Sequence, residues 1–276
     1  MTTEIVVTGA SGFVGQALLR EFIENGVSVQ GLSRRKVNGL VTVERYSDAP
    51  MSEESVLVHL AQGANTSDSF GDEDIELCRM LASRPWHHIV YASSAIVYGD
   101  ASNHLRRPDE NVAAFNDYSR VKLACEKIVL EAGGTCVRLG NLYGPGMNVD
   151  TVVSAILRQI PGDGSLVLQN TAPVRDFLWV NDAARCLAAA CRVMPNTILN
   201  AGSGGGMAVG DVARLALTLA GQGCRPVVGL TGSSRTSCLI LDIAKTTSAL
   251  NWTPEVNITT GLVSLLRTSG VEICKS

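Results

Sequence analysis

Apolar residues fall along this chain in two alternating rhythms. Glu4–Thr8, Val27–Leu32, Ser55–Ala61 and His87–Ala92 are short runs rich in β-branched residues, the pattern of strands in a buried sheet, and Val41–Arg45 reads as a further strand. Between them, Gln16–Asn25 carries a helical period and stops at Gly26. Asp74–Ser83 reads as a rather short helix after a polar loop over 65–74. Helices are also predicted from Tyr118 to about Glu131, over the Ala-rich stretch holding Cys186 and Cys191, and over Ala208–Gln222. Strands and helices alternating at this spacing predict an α/β chain with a doubly wound parallel sheet. The 276 residues suffice for one large domain or two lobes, and no internal repeat breaks the pattern.

The first strand runs straight into Gly9-Ala10-Ser11-Gly12-Phe13-Val14-Gly15, and a helix follows. Glycines at this spacing let the backbone turn tightly and approach a pyrophosphate, which then sits at the positive end of the helix. A Rossmann dinucleotide site is therefore expected, with Gly9, Ser11, Gly12, Phe13, Val14 and Gly15 at the cofactor. The second strand ends in Ser33-Arg34-Arg35, where an NAD site usually places a carboxylate on the adenosine ribose. A carboxylate would repel a 2′-phosphate, whereas arginine binds one through planar charged hydrogen bonds. NADP is expected in preference to NAD. Leu60 and Ala61 end the fourth strand, with Gln62 next, and should run under the cofactor; Asp48 is a candidate for its adenine end.

A second constellation comes later. The first part of Val90–Gly99 reads as an apolar strand that ends in two hydroxyls, Ser93 and Ser94, and Tyr118 and Lys122 lie four residues apart on one helix face. A phenol titrates near pKa ~10, and a neighbouring ammonium together with a positively charged nicotinamide is expected to lower that value. Ser94 would hold a substrate oxygen while Tyr118 moves its proton. His59 reads as a packed core histidine.

Composition removes other classes of function. The chain is 46% hydrophobic and 18% charged, so it is globular, and its net charge of −3 gives no reason to expect nucleic acid or an anionic membrane as partner. No apolar run reaches the ~20 residues that span a bilayer, and no signal-peptide layout is present. The eight cysteines include no Cys-x-x-Cys, and the four histidines lack ligand spacing, so no metal site is expected. A reduced, cytoplasmic protein fits this usage.

At this point the chain resembles an extended short-chain dehydrogenase/reductase of the NAD(P)-dependent epimerase/dehydratase family, over nearly its whole length. Gly9–Gly15 resembles the family's cofactor loop, His59-Leu60-Ala61 its fourth-strand signature, and Ser94 before Val97-Tyr98-Gly99 its catalytic serine. Tyr118 and Lys122 resemble its Tyr-x-x-x-Lys pair. Arg138-Leu139-Gly140-Asn141 through Pro145 resembles the following segment, whose Asn contacts a nucleotide-sugar substrate. Arg175, in Arg175-Asp176-Phe177, and Arg235 resemble the family's two diphosphate-binding arginines, and Leu250-Asn251-Trp252-Thr253-Pro254 its closing motif. The resemblance implies a homodimer paired through helices that include the one bearing Tyr118. It also implies a Rossmann domain over 1–145 joined by 176–201, with a smaller substrate lobe from 146–175 and 202–276.

Departures from the family narrow the chemistry. Dehydratases place an Asp-Glu pair beside the catalytic hydroxyl, because elimination needs an extra acid and base; here Ala95 and Ile96 follow Ser94. Epimerase/reductases of the GDP-fucose synthase type use a cysteine at the position of Ile96. Hydride transfer at one carbon remains. The preferred expectation is an NADP-dependent 4-ketoreductase of a nucleotide-linked sugar, ahead of a nucleotide-sugar C4 epimerase. A non-catalytic NADP-binding redox sensor is a distant alternative, because such proteins lose the Tyr or the Lys.

Overall fold

A computed structural model of the protein describes residues 4–62, 70–232, 237–271 and 273. The first strands in chain order are β1 (Ile5–Thr8), β2 (Val29–Ser33), β3 (Val41–Thr42), β4 (Val56–His59), β5 (His88–Ser94) and β6 (Thr135–Leu139). Shorter ones follow: β7 (Asn141–Tyr143), β8 (Leu166–Leu168), β9 (Val174–Arg175), β10 (Phe177–Trp179), β11 (Ile198–Ala201), β12 (Met207–Ala208), β13 (Val227–Gly229) and β14 (Cys238–Leu239). The helices are α1 (Phe13–Glu24), α2 (Phe70–Ala82), α3 (Asp117–Glu131), α4 (Val152–Leu157), α5 (Val180–Val193), α6 (Val209–Leu219), α7 (Ala244–Leu250) and α8 (Ile258–Thr268).

Seven strands form one sheet in the order β11-β6-β5-β4-β1-β2-β3, with every pairing parallel. This is the doubly wound arrangement expected from the alternating pattern. Successive residues of β1 go to opposite faces. Val7 joins Leu18 and Phe22 of α1 and Leu187 of α5, while Val6 joins Leu81 of α2 and Val121 and Val129 of α3. Fully burying each such side chain contributes ~1.5–3 kcal/mol, which is why strands apolar on both faces sit in the middle of the sheet. The edge strand β3 is only Val41–Thr42, both exposed, shorter than the run expected over 41–45. Short edges resist pairing with other chains.

Several helix boundaries differ from the sequence reading, α6 closing at Leu219 rather than Gln222 among them. Helix α1 starts at Phe13, because Gly12 takes the extended N-cap conformation and the helical turn begins at once. Helix α2 starts at Phe70, where Asp72 and Glu73 occupy its positive first turn, and the predicted loop over 65–74 lies partly outside the described residues.

A second apolar cluster lies beyond β6, where the parallel pair β7–β10 brings Tyr143 edge-on to Phe177 and Trp179, with ring centres 6.4 and 5.2 Å apart. Helices α4, α6 and α8 pack their Ile156, Val212 and Leu262 on it. Asp176 is 1% exposed. Its carboxylate accepts hydrogen bonds from the Ser203 amide (2.6 Å), the Gly204 amide (3.3 Å) and the Leu241 amide (3.1 Å), and so joins three chain segments. Among the described residues no helix is long and apolar enough to cross a membrane.

Two buried histidines fasten the sheet. The Thr8 hydroxyl accepts the Leu60 and Ala61 amides (3.2 and 3.3 Å), which directs its proton to His59 Nδ1 at 2.8 Å. His88 Nε2 lies 2.8 Å from the Thr135 hydroxyl. Burial, and then the charge of Lys122, holds His59 down at about 3, and burial, and then His87, holds His88 at about 4. Below the ordinary value of 6.5 an unfolded chain takes up protons that the folded chain refuses, so the stability is complete above that pH and is lost as pH falls toward 4 and 3. The urea midpoint is expected to drop between pH 7 and pH 5, and to drop less in a His59→Gln/His88→Gln variant, whose amides can still accept from the threonines. An equal drop in both proteins contradicts this assignment.

Candidate active site

Helix α3 is fixed at its start by a capping box: Asn116 Oδ1 accepts the Ser119 amide (2.8 Å) and the Ser119 hydroxyl accepts the Asn116 amide (3.1 Å). Tyr118 therefore stands in the first turn, with Lys122 one turn on and facing the same way. Strand β5 delivers the opposing group. Its last residue, Ser94, caps the short 3-10 turn Ala95–Tyr98 by accepting the Ile96 amide at 3.3 Å. The two adjacent hydroxyls then part, as alternation along a strand requires. Ser93 is buried and donates to Glu126 (2.5 Å), while Ser94 lines a cleft with Val14, Leu60, Gln62, Tyr118 and Lys122.

Lys122 is 6% exposed, and its ammonium donates to the Ala92 carbonyl at 2.7 Å. The amine lies 4.9 Å from the centre of the Tyr91 ring and 5.7 Å from that of Tyr118. Burial pulls Lys122 down to about 8, opposed by Cys125, Glu126 and Asp74. The Tyr118 phenol is pushed above its ordinary value by burial, and its hydrogen bond with Ser94 offsets only part of that. The lowering expected from the sequence counted a positively charged nicotinamide together with Lys122, and burial opposes it. Lys122 is directed at a backbone carbonyl and at ring faces, so its charge does not dominate at the phenol oxygen.

The cleft of about 480 Å³ at Ser94 adjoins one of about 490 Å³ lined by Gly9, Ser11, Gly12, Ser33, Arg34, Arg35, Tyr46 and Ala61, and Leu60 and Gln62 line both. Together they run along the carboxyl ends of β1, β2, β4 and β5, where dinucleotides bind in such sheets. The backbone fits that ligand. Gly9 has φ +69°, and a Cβ there would lie 2.8 Å from the Ala61 amide, so only glycine lets the two strand ends close in. Phe13 and Gly15 do not line the clefts. Phe13 packs against the core under α1, and a Cβ on Gly15 would meet the Gly9 carbonyl at 2.5 Å. Arg34 stacks over Tyr46, 5.7 Å from its ring centre, and Ser33 is buried with its hydroxyl on Ser11 (3.2 Å). Among the described lining residues none is acidic. Asp48 does not line this cleft. Tyr46 does, and sequence reasoning passed over it although it immediately follows the predicted strand.

A smaller cavity of about 260 Å³ opens on the other side of Ser94, lined by Ala95, Ile96, Asp100, Asn141, Arg175 and Leu239 among others. Asn141 and Arg175 thus come together with the hydroxyl, as the sequence reading placed them. Arg175 pairs with neither neighbouring aspartate. Asp176 is taken up by backbone amides, and Asp182 by Arg185 at 2.6 Å and the Val256 amide at 3.0 Å. Its terminal nitrogens instead donate to Asp100 (3.0 Å), the Ser237 hydroxyl (2.8 Å), and the Val174 and Ser237 carbonyls (2.9 and 3.1 Å). Asp100 was missed, and its place directly after Val97-Tyr98-Gly99 was the available signal. Arg235 lies outside the described residues.

A glycine-cradled dinucleotide cleft that ends at a Ser-Tyr-Lys set defines an extended short-chain dehydrogenase/reductase, an enzyme that works with a nicotinamide cofactor. Residues 5–202 match the NAD dependent epimerase/dehydratase family, and the chain belongs to it. It is similar to a putative UDP-glucose 4-epimerase of Methanocaldococcus jannaschii, 24% identical over 94% of this chain and 95% of that one. It is also similar to CDP-abequose synthase of Salmonella typhimurium, 22% identical over 95% of this chain and 97% of that one. The fold is shared with MoeE5, solved in complex with UDP-glucose and NAD, at a TM-score of 0.80 and 24% identity over 96% of this chain and 99% of that one.

Gly9→Ala is expected to lower stability by ~1–3 kcal/mol, because the added methyl forces β1 and β4 apart and the residue is held at positive φ. Urea denaturation measures that loss, and fluorescence titration with NADPH measures the accompanying fall in affinity. Wild-type values in both contradict the cradle.

Proposed function

We propose that the protein is an NADP-dependent reductase of nucleotide-linked 4-keto sugars. The observation that carries this reading is the rim of the cofactor cleft, where Arg34 and Arg35 stand beside a buried serine with no carboxylate among the described lining residues. Two guanidiniums suit the 2′-phosphate of NADP, and a consumed, exchangeable NADPH suits a reductase. The bound nicotinamide would supply hydride to one carbon of the sugar. Tyr118 gives its phenolic proton to the oxygen on that carbon, so that hydride and proton together turn a carbonyl into a carbinol. Ser94 hydrogen-bonds the same oxygen and holds it in line. Lys122, fixed on the Ala92 carbonyl, adds positive charge on the side of the phenol and so favours the phenolate left behind.

The sugar is proposed to enter the cavity shared by Ser94, Asn141 and Arg175, with its nucleotide toward the smaller lobe formed by 146–175 and 202–276. Arg175 reaches the substrate diphosphate by exchanging Asp100 and Ser237 for phosphate oxygens. Arg235 is the second diphosphate arginine proposed.

A second reading, C4 epimerisation of a nucleotide sugar, is favoured by relatives named as 4-epimerases and by a fold neighbour solved with NAD. An epimerase must turn its keto intermediate over inside the pocket. That turn needs room in the cleft of about 480 Å³ at Ser94 and the cavity of about 260 Å³ that shares Ser94, Leu139 and Gly140 with it.

Loss of NADPH absorbance on mixing with a panel of 4-keto-6-deoxy nucleotide sugars tests the choice. Stoichiometric oxidation with one member is expected. If none consumes NADPH while a UDP-hexose is interconverted with its C4 epimer without net redox change, the reductase reading is wrong. Arg34→Ala is expected to weaken NADPH binding ~10-fold or more while leaving NADH nearly unchanged, by loss of one charge-assisted contact. Equal weakening of both contradicts a 2′-phosphate site.

A further inference from the structure

One charged pair beneath the reacting groups has no direct part in the chemistry above. Glu126 and Arg138 are 3% and 1% exposed, and their side chains meet as a two-pronged pair, Nε to Oε1 at 2.9 Å and Nη2 to Oε2 at 2.7 Å. Taking both charges out of water is expensive, and apolar residues of similar volume often serve stability as well or better. What such a pair supplies beyond them is direction, since a planar fork on a carboxylate fixes both separation and orientation.

We infer that the Glu126–Arg138 pair is a positioning device that holds the Tyr118–Lys122 face of α3 in register with Ser94. The inference rests on the reading of Tyr118 as the proton-transferring group. Tyr118, Lys122 and Glu126 follow one another at four-residue spacing and form one stripe along α3. At the far end of that stripe, Glu126 takes the Ser93 hydroxyl at 2.5 Å, and Ser93 immediately precedes Ser94. Ser93 and Arg138 are themselves register partners on β5 and β6.

The same guanidinium reaches the other reacting element. It lies 4.7 Å from the centre of the Tyr98 ring, and Tyr98 ends the turn that Ser94 begins. Tyr98 is held in turn by its hydroxyl on Asn200 Oδ1 of β11, at 2.7 Å. Arg138 Nη1 is buried with no hydrogen-bond partner within bonding distance among the described residues. Arg138 thus grips the helix that carries the phenol with one side and the turn that carries the serine with the other.

The test is steady-state kinetics of Glu126→Leu/Arg138→Met, which removes both charges together, beside Ser93→Ala, which leaves the pair intact. The probes are NADPH with dTDP-4-keto-6-deoxyglucose, and NAD with UDP-glucose. The double variant is expected to melt near the wild-type temperature and bind NADPH within about 2-fold, yet to lose ~10- to 100-fold in kcat with KM little changed, the cost of a misplacement of an ångström or less. Ser93→Ala is expected to lose ~3- to 10-fold in kcat on the same physical ground. If the double variant does not fold, Ser93→Ala decides alone. Partial recovery in Glu126→Gln/Arg138→Met, which restores an acceptor for Ser93, is expected from positioning and not from packing. Folded variants with wild-type kcat overturn the inference alone. A wild-type protein inactive with both probes overturns the reading of the site and this inference with it.

Discussion

The docking of α3 on β5 is the contact on which the rest of the site depends. Most of that interface is apolar, with Val121, Cys125 and Val129 against Ile89 and Tyr91. A stripe of polar groups nevertheless runs through it, and each must find a partner because water is excluded. Lys122 settles on the Ala92 carbonyl and between two tyrosine rings, and Glu126 settles on Ser93 and Arg138. These demands leave α3 one position along the strand. Sliding it would strand a buried ammonium and a buried carboxylate at once, so the phenol at its first turn comes to rest beside Ser94.

The second constraint is the adjacency of β1 and β4 at the centre of a parallel sheet. Strand order reverses there, which opens the crevice that a dinucleotide fills. Thr8 and His59 tie the two strand ends together, and Gly9 lets them approach. The cofactor cleft and the Ser-Tyr-Lys site share Leu60 and Gln62, so a ligand stretched along the carboxyl ends of the strands reaches from Arg34 to Tyr118. Binding and chemistry are linked through the sheet edge itself.

Much of this was legible in the residues, because local signals and tertiary demands agree for buried strands, for the glycine loop and for a helix pair four residues apart. The dense apolar runs of β1, β4 and β5 leave little choice of partner. What escaped depended on contacts distant in sequence. The partner that Arg175 has in the protein by itself, Asp100, lies 75 residues away, and Asp176 next to it is claimed by backbone amides. The burial that opposes a phenolate at Tyr118 was not legible from charge at four-residue spacing. The start of α2 at Phe70 was hidden by a polar first turn that resembles a loop.

The most direct test of the account follows a single turnover, with enzyme in excess and NADPH absorbance as the signal, in wild type and in Tyr118→Phe. The substrate is whichever 4-keto nucleotide sugar the wild type accepts. The account predicts unchanged NADPH affinity in the variant and a hydride-transfer rate lower by ~10²–10⁴-fold, the usual contribution of a positioned proton donor. A Tyr118→Phe protein that oxidises NADPH as fast as wild type would contradict it, because the proton would then come from elsewhere and the stripe on α3 would be scaffolding only.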